Sequence, residues 1–250
     1  MKALHHKRLK QLGLIETLAL AIGGAWASGV NLYGTVLVLG FMDNFGLIDL
    51  PSELQILSAW WVLALALVLY LVEFVADKIP FVDSVWDAIH TFIRIPAGAM
   101  LAAGAVSGFD SGLGPETQAL LALLVGGTIT ASSHFAKAGS RAAINASPEP
   151  VSNSVASVTE DLAVFGMLYA VVFHPVTFFV LFGVFVLLLI WLVPKIWRFI
   201  GGVFGNARHP AAAYQQAQDQ RTDMASELSD DGKFTLSLGR SGKGPKLPPQ

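Results

Sequence analysis

The chain has 250 residues, 54% of them hydrophobic and 14% charged, with a formal net charge of −2. Soluble domains carry about a quarter charged residues, so this composition and a mean hydropathy of +0.58 indicate an integral membrane protein. The small net charge excludes a global basic field for nucleic acid, and the absence of cysteine excludes disulfides, thiolate metal sites and cysteine nucleophiles.

Residues 1–11, with Lys2, Lys7, Arg8 and Lys10, read as a basic cytoplasmic segment. A basic start, an apolar stretch and Ala25-Trp26-Ala27 have the form of a secretory signal. Glu16 interrupts that stretch, however, and hydrophobicity continues to Met42. About 20 apolar residues cross the hydrocarbon core as a helix, and six stretches qualify: 12–42, 55–77, 82–107, 117–142, 151–173 and 175–204. The first contains Gly23-Gly24, Ser28-Gly29, Asn31 and Gly34, which predict a broken or tilted helix closely packed on its neighbours. The expected fold is therefore all-α and polytopic, with a six-helix transmembrane domain over 12–205. Residues 206–250, rich in Gln, Asp, Ser, Lys, Gly and Pro, read as a disordered cytoplasmic tail, with a short amphipathic helix as an option near 211–229.

Lysine and arginine collect in cytoplasmic loops. Lys78, Lys137, Arg141, Lys195 and Arg198 fall at one set of connections together with the basic N-terminus. The opposite connections, near 43–54, 108–116 and at His174-Pro175, carry Asp43, Asp49, Glu53, Asp110 and Glu116 and no lysine or arginine. This predicts both termini in the cytoplasm, an even number of spans and a multi-pass location in the inner (plasma) membrane.

Two stretches, 76–99 and 134–161, hold most of the interior charge. An ionisable group in a bilayer costs roughly 2.5–3.5 kcal/mol on insertion scales unless paired or hydrated, so these stretches are the candidate site. After Pro80, helical spacing stacks Asp83, Asp87, His90 and Arg94 on one face, with Val85, Trp86, Ile89, Phe92 and Ile93 on the others. After Pro150, PVSNSVASVTED runs in register with PFVDSVWDAIHT, aligning Asn153 with Asp83 and Glu160 with His90. An internal repeat is one account of this pattern; shared helix-start chemistry is the other.

Glu160 and Asp161 reach a depth similar to that of Arg94, which makes them its expected partners. Glu73 and Asp77 share a face of the second span with Tyr70, and His134, Lys137 and Arg141 share a face of the fourth with Thr130. Together these faces suggest a polar vestibule open to the cytoplasm, although Lys137 and Arg141, each taken alone, are expected rather to snorkel to the interface. The arrangement reads either as a structural clamp or as a proton- or cation-responsive centre. No HExxH, nucleophile elbow or phosphate-binding loop occurs. No catalytic residue, metal ligand or cofactor is assigned.

At these same residues the chain resembles the bacterial membrane family called domain of unknown function 4126. The likeness runs through ADKIPFVDSVWDAIHTFIRIPAGA and KAGSRAAINASPEPVSNSVASVTED, in that order, and covers roughly 15–194. The resemblance implies an all-helical membrane fold. It singles out Asp77, Lys78, Pro80, Asp83, Asp87, Arg94, Lys137, Arg141, Asn145, Pro148, Glu149, Asn153, Glu160 and Asp161 as positions of the family pattern. Ile95 departs from that pattern, in which proline often follows the arginine directly. The family name implies no activity.

The function expected is that of a small transporter or channel-like protein with a charged, cytoplasm-facing site. Two other classes remain open. One is an intramembrane enzyme on lipid head groups, with Lys137 and Arg141 on phosphate and Asp83, Asp87 and His90 in acid–base work. The other is a structural assembly partner. The expected partners are the bilayer and a small solute, ion or lipid, not nucleic acid, with an oligomer left open.

Overall fold

The structure, a computed structural model, describes residues 13–79, 81–145, 150–206, 215 and 218–224. It contains seven α-helices: α1 (Leu14–Val30), α2 (Leu32–Asn44), α3 (Trp60–Ala76), α4 (Val82–Val106), α5 (Pro115–Asn145), α6 (Pro150–Phe173) and α7 (Pro175–Asn206). A 3-10 helix (Ser52–Ser58) precedes α3, and no strand occurs among the described residues. The chain divides into two units, 1–192 and 193–250. The second holds the last turns of α7 and a helical stretch at 218–224. The rest of the expected tail, and most of the amphipathic helix considered at 211–229, lies outside the described residues.

Four helical stretches are long and apolar enough to cross a membrane: Val82–Val106, Pro115–Ala142, Val151–Phe173 and Pro175–Lys195. The 3-10 helix and α3, bent by 63° at their junction, supply a fifth if taken as one span. The stretch expected to cross first, 12–42, is instead two short helices. Asn31 divides them: its backbone is extended, its N–H still donates to Ala27 O, and its Oδ1 accepts from Gly34 N at 2.8 Å, capping α2.

Beyond this break the chain returns. Leu14 at the start of α1 lies beside Phe109 and Leu113 of the α4–α5 loop, and Glu16 and Leu20 share a cleft with Ile48 and Leu50 just past the end of α2. α1 and α2 thus form a re-entrant hairpin with its tip at Asn31 and both open ends at the α4–α5 loop. α7 starts at this end too, since Phe178 packs in one core with Val171 at the end of α6 and Leu20 near the start of α1. With α1 and α2 returning to one end and α3 to α7 left to cross, neither the even number of spans nor the expected cytoplasmic N-terminus beside the charge cluster carries over: Leu14 stands at the α4–α5 loop end.

The absence of native cysteine makes this topology testable with single cysteines. Gly13→Cys and Ser111→Cys will react with a membrane-impermeant thiol reagent from the same side, and Ile79→Cys from the other. Reaction of positions 13 and 79 from one side would restore a single crossing.

The hairpin enters the bundle through small residues. Gly29 of α1 lies against Ser133 and Thr130 of α5, and Gly98 of α4 lies against Thr130 and Ser28, with no room for a Cβ at either position. Thr130 Oγ1 donates to Ala25 O and Ser133 Oγ to Trp26 O, each at 2.9 Å. Close backbone approach and interhelical hydroxyl bonds are how helices associate where lipid offers no hydrophobic drive. Gly98→Val should therefore lower the thermal unfolding temperature in detergent, at a cost of about 1–3 kcal/mol. Gly108→Ala, where nothing lies within 4 Å, should leave it unchanged.

α4 is an inside-out helix. Its buried face carries Asp83, Asp87, His90 and Arg94 and continues through Gly98, Leu101, Ala102 and Ala105, while Val85, Ile89, Phe92 and Ile93 face outward. One continuous helix runs through Pro96, so the polar segment enters the bundle rather than lying along the headgroups. α6 buries Asn153, Ser157, Asp161, Val164, Leu168 and Val171, whereas Glu160, aligned with the buried His90 in the expected repeat, is half-buried.

A buried charge cluster at the tip of the hairpin

Lys137, on the inward face of α5, is the hub. Its ammonium lies 3.1 Å from Asp77 Oδ2, 3.3 Å from Glu73 Oε1 and 3.2 Å from Val30 O. Glu160 Oε2 at 3.8 Å and Asp87 Oδ1 at 3.9 Å complete the surround. The break at Asn31 leaves the Val30 carbonyl without a helical donor, and lysine supplies one. On the α4 side, Arg94 donates to Glu73 Oε1 at 2.6 Å and to Asp87 Oδ1 at 3.0 Å. On the α6 side, Arg141 grips Glu160 through Nε and Nη2 at 3.1 and 2.7 Å. It also reaches the carbonyls of Asp77 and Asn153.

Asp161 is held by neutral donors at the hairpin tip. Its oxygens accept from Asn31 Nδ2 at 2.8 Å and from the Tyr70 hydroxyl at 3.1 Å. Asn31 therefore spends one end of its amide on capping α2 and the other on α6. Asp83 and Asn153 are fully buried at the same end of the bundle.

The two histidines are set apart by their bonds. His90 Nδ1 lies 2.8 Å from Trp86 O, an acceptor only, so Nδ1 carries the hydrogen and Nε2 accepts from Tyr33 OH at 3.0 Å. A neutral imidazole satisfies both bonds, and the ring stacks on Trp86 at 4.1 Å. His134 Nδ1 faces the Arg94 guanidinium at 3.4 Å, which only donates. Its Nε2 therefore bears the hydrogen and bonds Thr91 Oγ1 at 2.7 Å, while Thr91 in turn donates to Asp87 O.

Among the described residues, six carboxylates (Glu73, Asp77, Asp83, Asp87, Glu160 and Asp161) thus share this end of the bundle with three buried cations, Arg94, Lys137 and Arg141. Lys78 stands half-buried at the rim, its ammonium donating to Phe74 O at 2.8 Å. Desolvation pulls Lys78 below its ordinary value, against the raising influence of Asp161 and Asp77. The second oxygens of Glu73, Asp77 and Asp87 are buried without a hydrogen-bond partner among the described residues.

The profile of the family described as domain of unknown function, DUF4126, matches residues 18–195, well over half of the chain. The chain belongs to this family. No curated protein and no solved structure matches it.

In this DUF4126 protein several pairings differ from those expected. Arg94 pairs with Glu73 and Asp87, not with Glu160 or Asp161, because α6 packs mainly on the hairpin while Arg94 turns toward α3. Lys137 and Arg141 do not snorkel; both are buried, and their charges close on acids. His90 takes no part in the ion pairs described, its ring nitrogens going to Trp86 and Tyr33. Where a vestibule was expected, Glu73, Arg94 and His134 are at most 1% exposed, each bonded to the next. Asn145 ends α5, but its side chain, like all of Glu149, Pro148 and Pro80, lies outside the described residues. Sequence reasoning left Asn31 out of the site. The available signal was an amide-bearing N-cap between two apolar helices.

Proposed function

We propose that this DUF4126 protein is a small proton-coupled membrane transporter, with the charge cluster as its coupling centre and the α1–α2 hairpin as the element that moves. One observation carries the reading. The tip of a re-entrant hairpin is hydrogen-bonded by Lys137 and Asp161 within a cluster in which, among the described residues, Glu73, Asp77, Asp87, Glu160 and Asp161 surround three buried cations, Arg94, Lys137 and Arg141.

Full ionisation of the described groups would leave net negative charge among them in a medium of low dielectric, a costly state. A proton entering the cluster relieves it. The same proton weakens the hold of the acids on Lys137, and Lys137 is what secures the Val30 carbonyl. Charge state and hairpin position are thereby linked through one ammonium group. Broken helices with freed carbonyls are a recurring way of building such sites at membrane depth.

The cluster end is assigned to the cytoplasm and the membrane to the bacterial inner membrane. Lys78 lies at the cluster end, whereas Asp43, Asp49, Glu53, Asp110 and Glu116 lie at the other, where no lysine or arginine occurs among the described residues.

The test uses Glu160, the most exposed of the paired acids at 18%. Purified protein in liposomes loaded with a pH-reporting dye should admit protons under an imposed potential. Glu160→Gln should abolish that flux while unfolding at nearly the same temperature. Equal flux in both proteins, or none in the native one, would overturn the proposal. Wholesale loss of folded Glu160→Gln protein would favour a structural clamp.

A further inference from the structure

The opposite end of the bundle carries a different chemistry. Three clefts adjoin one another around the C-terminal end of α4. One, of about 260 Å³, lies between α1, α4 and α5; apart from Thr17, Ser111 and Gln118 its lining is apolar, with Leu18, Ile22, Leu121 and Val125 among its walls. Another, of about 490 Å³, lies between α2, the 3-10 helix and α4, and is lined by Leu32, Val36, Ile56, Leu57 and Met100.

Between them sits a cleft of about 440 Å³ that shares Val106 and Gln118 with the first and Glu53 and Ser107 with the second. Its lining includes two acids, Glu53 and Asp110, and no basic residue. Both acids are exposed. Two apolar grooves therefore diverge from one acidic mouth, astride the end of a helix at the membrane boundary.

We propose that this surface is a binding site for a two-chain membrane lipid whose headgroup carries a protonated amine. The headgroup ammonium faces Glu53 and Asp110 in the mouth. One acyl chain lies in the α1–α4–α5 groove and the other in the groove beside the 3-10 helix. Charge decides the headgroup class, because an anionic headgroup would meet two carboxylates and, among the described residues, no cation. Groove polarity decides the number of chains, because the walls on either side offer almost nothing but hydrocarbon. The site lies at the far end from the charge cluster and does not depend on the function proposed for it.

Native mass spectrometry of the full-length protein in detergent tests this, with phosphatidylethanolamine, phosphatidylglycerol and lysophosphatidylethanolamine of matched chains as probes. Phosphatidylethanolamine should bind about tenfold more tightly than phosphatidylglycerol, the scale of one charge-assisted contact. The single-chain lysolipid should bind about tenfold more weakly than its two-chain parent, through loss of one buried chain. The exposed loop variant Asp110→Asn should narrow the headgroup preference, and Glu53→Gln with Asp110→Asn should remove it. Ala122→Phe, which fills one groove, should reduce two-chain binding to the level of the lysolipid. Equal or tighter binding of phosphatidylglycerol, equal binding of one- and two-chain lipids, or a preference unchanged in Asp110→Asn would each overturn the proposal.

Discussion

Replacing Arg94 with methionine is expected to destabilise the protein by about 3–5 kcal/mol, the cost of leaving buried charge uncompensated. The guanidinium is fully buried; its ion pair to Glu73 at 2.6 Å joins α4 to α3, and its pair to Asp87 at 3.0 Å lies within α4. Thermal unfolding in detergent, followed by circular dichroism, measures the effect. Adding Glu73→Gln to Arg94→Met should recover part of the loss, because one of the stranded charges is then gone. If Arg94→Met alone unfolds within a degree or two of the native protein, the guanidinium is not holding these acids. The double variant separates a charge effect from a packing effect, since a cavity left by arginine would persist in both.

A second substitution of comparable size is Lys137→Met. Its ammonium touches Asp77, Glu73 and the Val30 carbonyl, so its loss strands two acids and frees the hairpin tip together. The expected cost is again about 3–5 kcal/mol, against about 0–1 kcal/mol for Lys78→Met at the rim. Hydrogen exchange should show the second consequence, with amides at 29–35 losing protection well beyond the average for the chain. Lys137→Arg should not restore the native state. A planar guanidinium needs more room than a compact ammonium at a site bounded on one side by backbone. Stability restored by arginine, or exchange unchanged at the tip, would show that Lys137 is only one charge among several.

The helical class was legible because α4, α5, α6 and α7 each contain an apolar stretch long enough to measure against a bilayer. The inward face of α4 was legible for a related reason: Asp83, Asp87, His90 and Arg94 share a helical face that hydrocarbon disfavours, and all four are buried. The return of the chain at Asn31 was not legible. Glycines and an asparagine within an apolar stretch announce a weak point in a helix, but the direction taken beyond it is set by tertiary contacts. Here those contacts are Leu20 near Leu50, and Gly40 closed against the Leu57 carbonyl.

Pairing was partly legible. Equal depth correctly suggested that buried acids and bases meet, yet it named the wrong acid for Arg94. Depth fixes height and not which helices are neighbours, and α3, carrying Glu73, stands nearer to Arg94 than α6 does. The burial of Lys137 illustrates the same limit. A lysine near a helix end ordinarily reaches for the interface; here the acids of α3, Glu73 and Asp77, and the freed Val30 carbonyl draw it inward.

The proposed coupling centre holds more acids than buried cations among the described residues, and proton coupling through it requires one of those acids to be protonated at neutral pH. Infrared spectroscopy of the purified protein, native and Glu160→Gln, reads this directly through the carbonyl stretch of a protonated carboxylic acid. The prediction is such a band in the native protein at neutral pH, sensitive to deuterium exchange and altered in the variant. A native spectrum with only ionised carboxylates at neutral pH would contradict it.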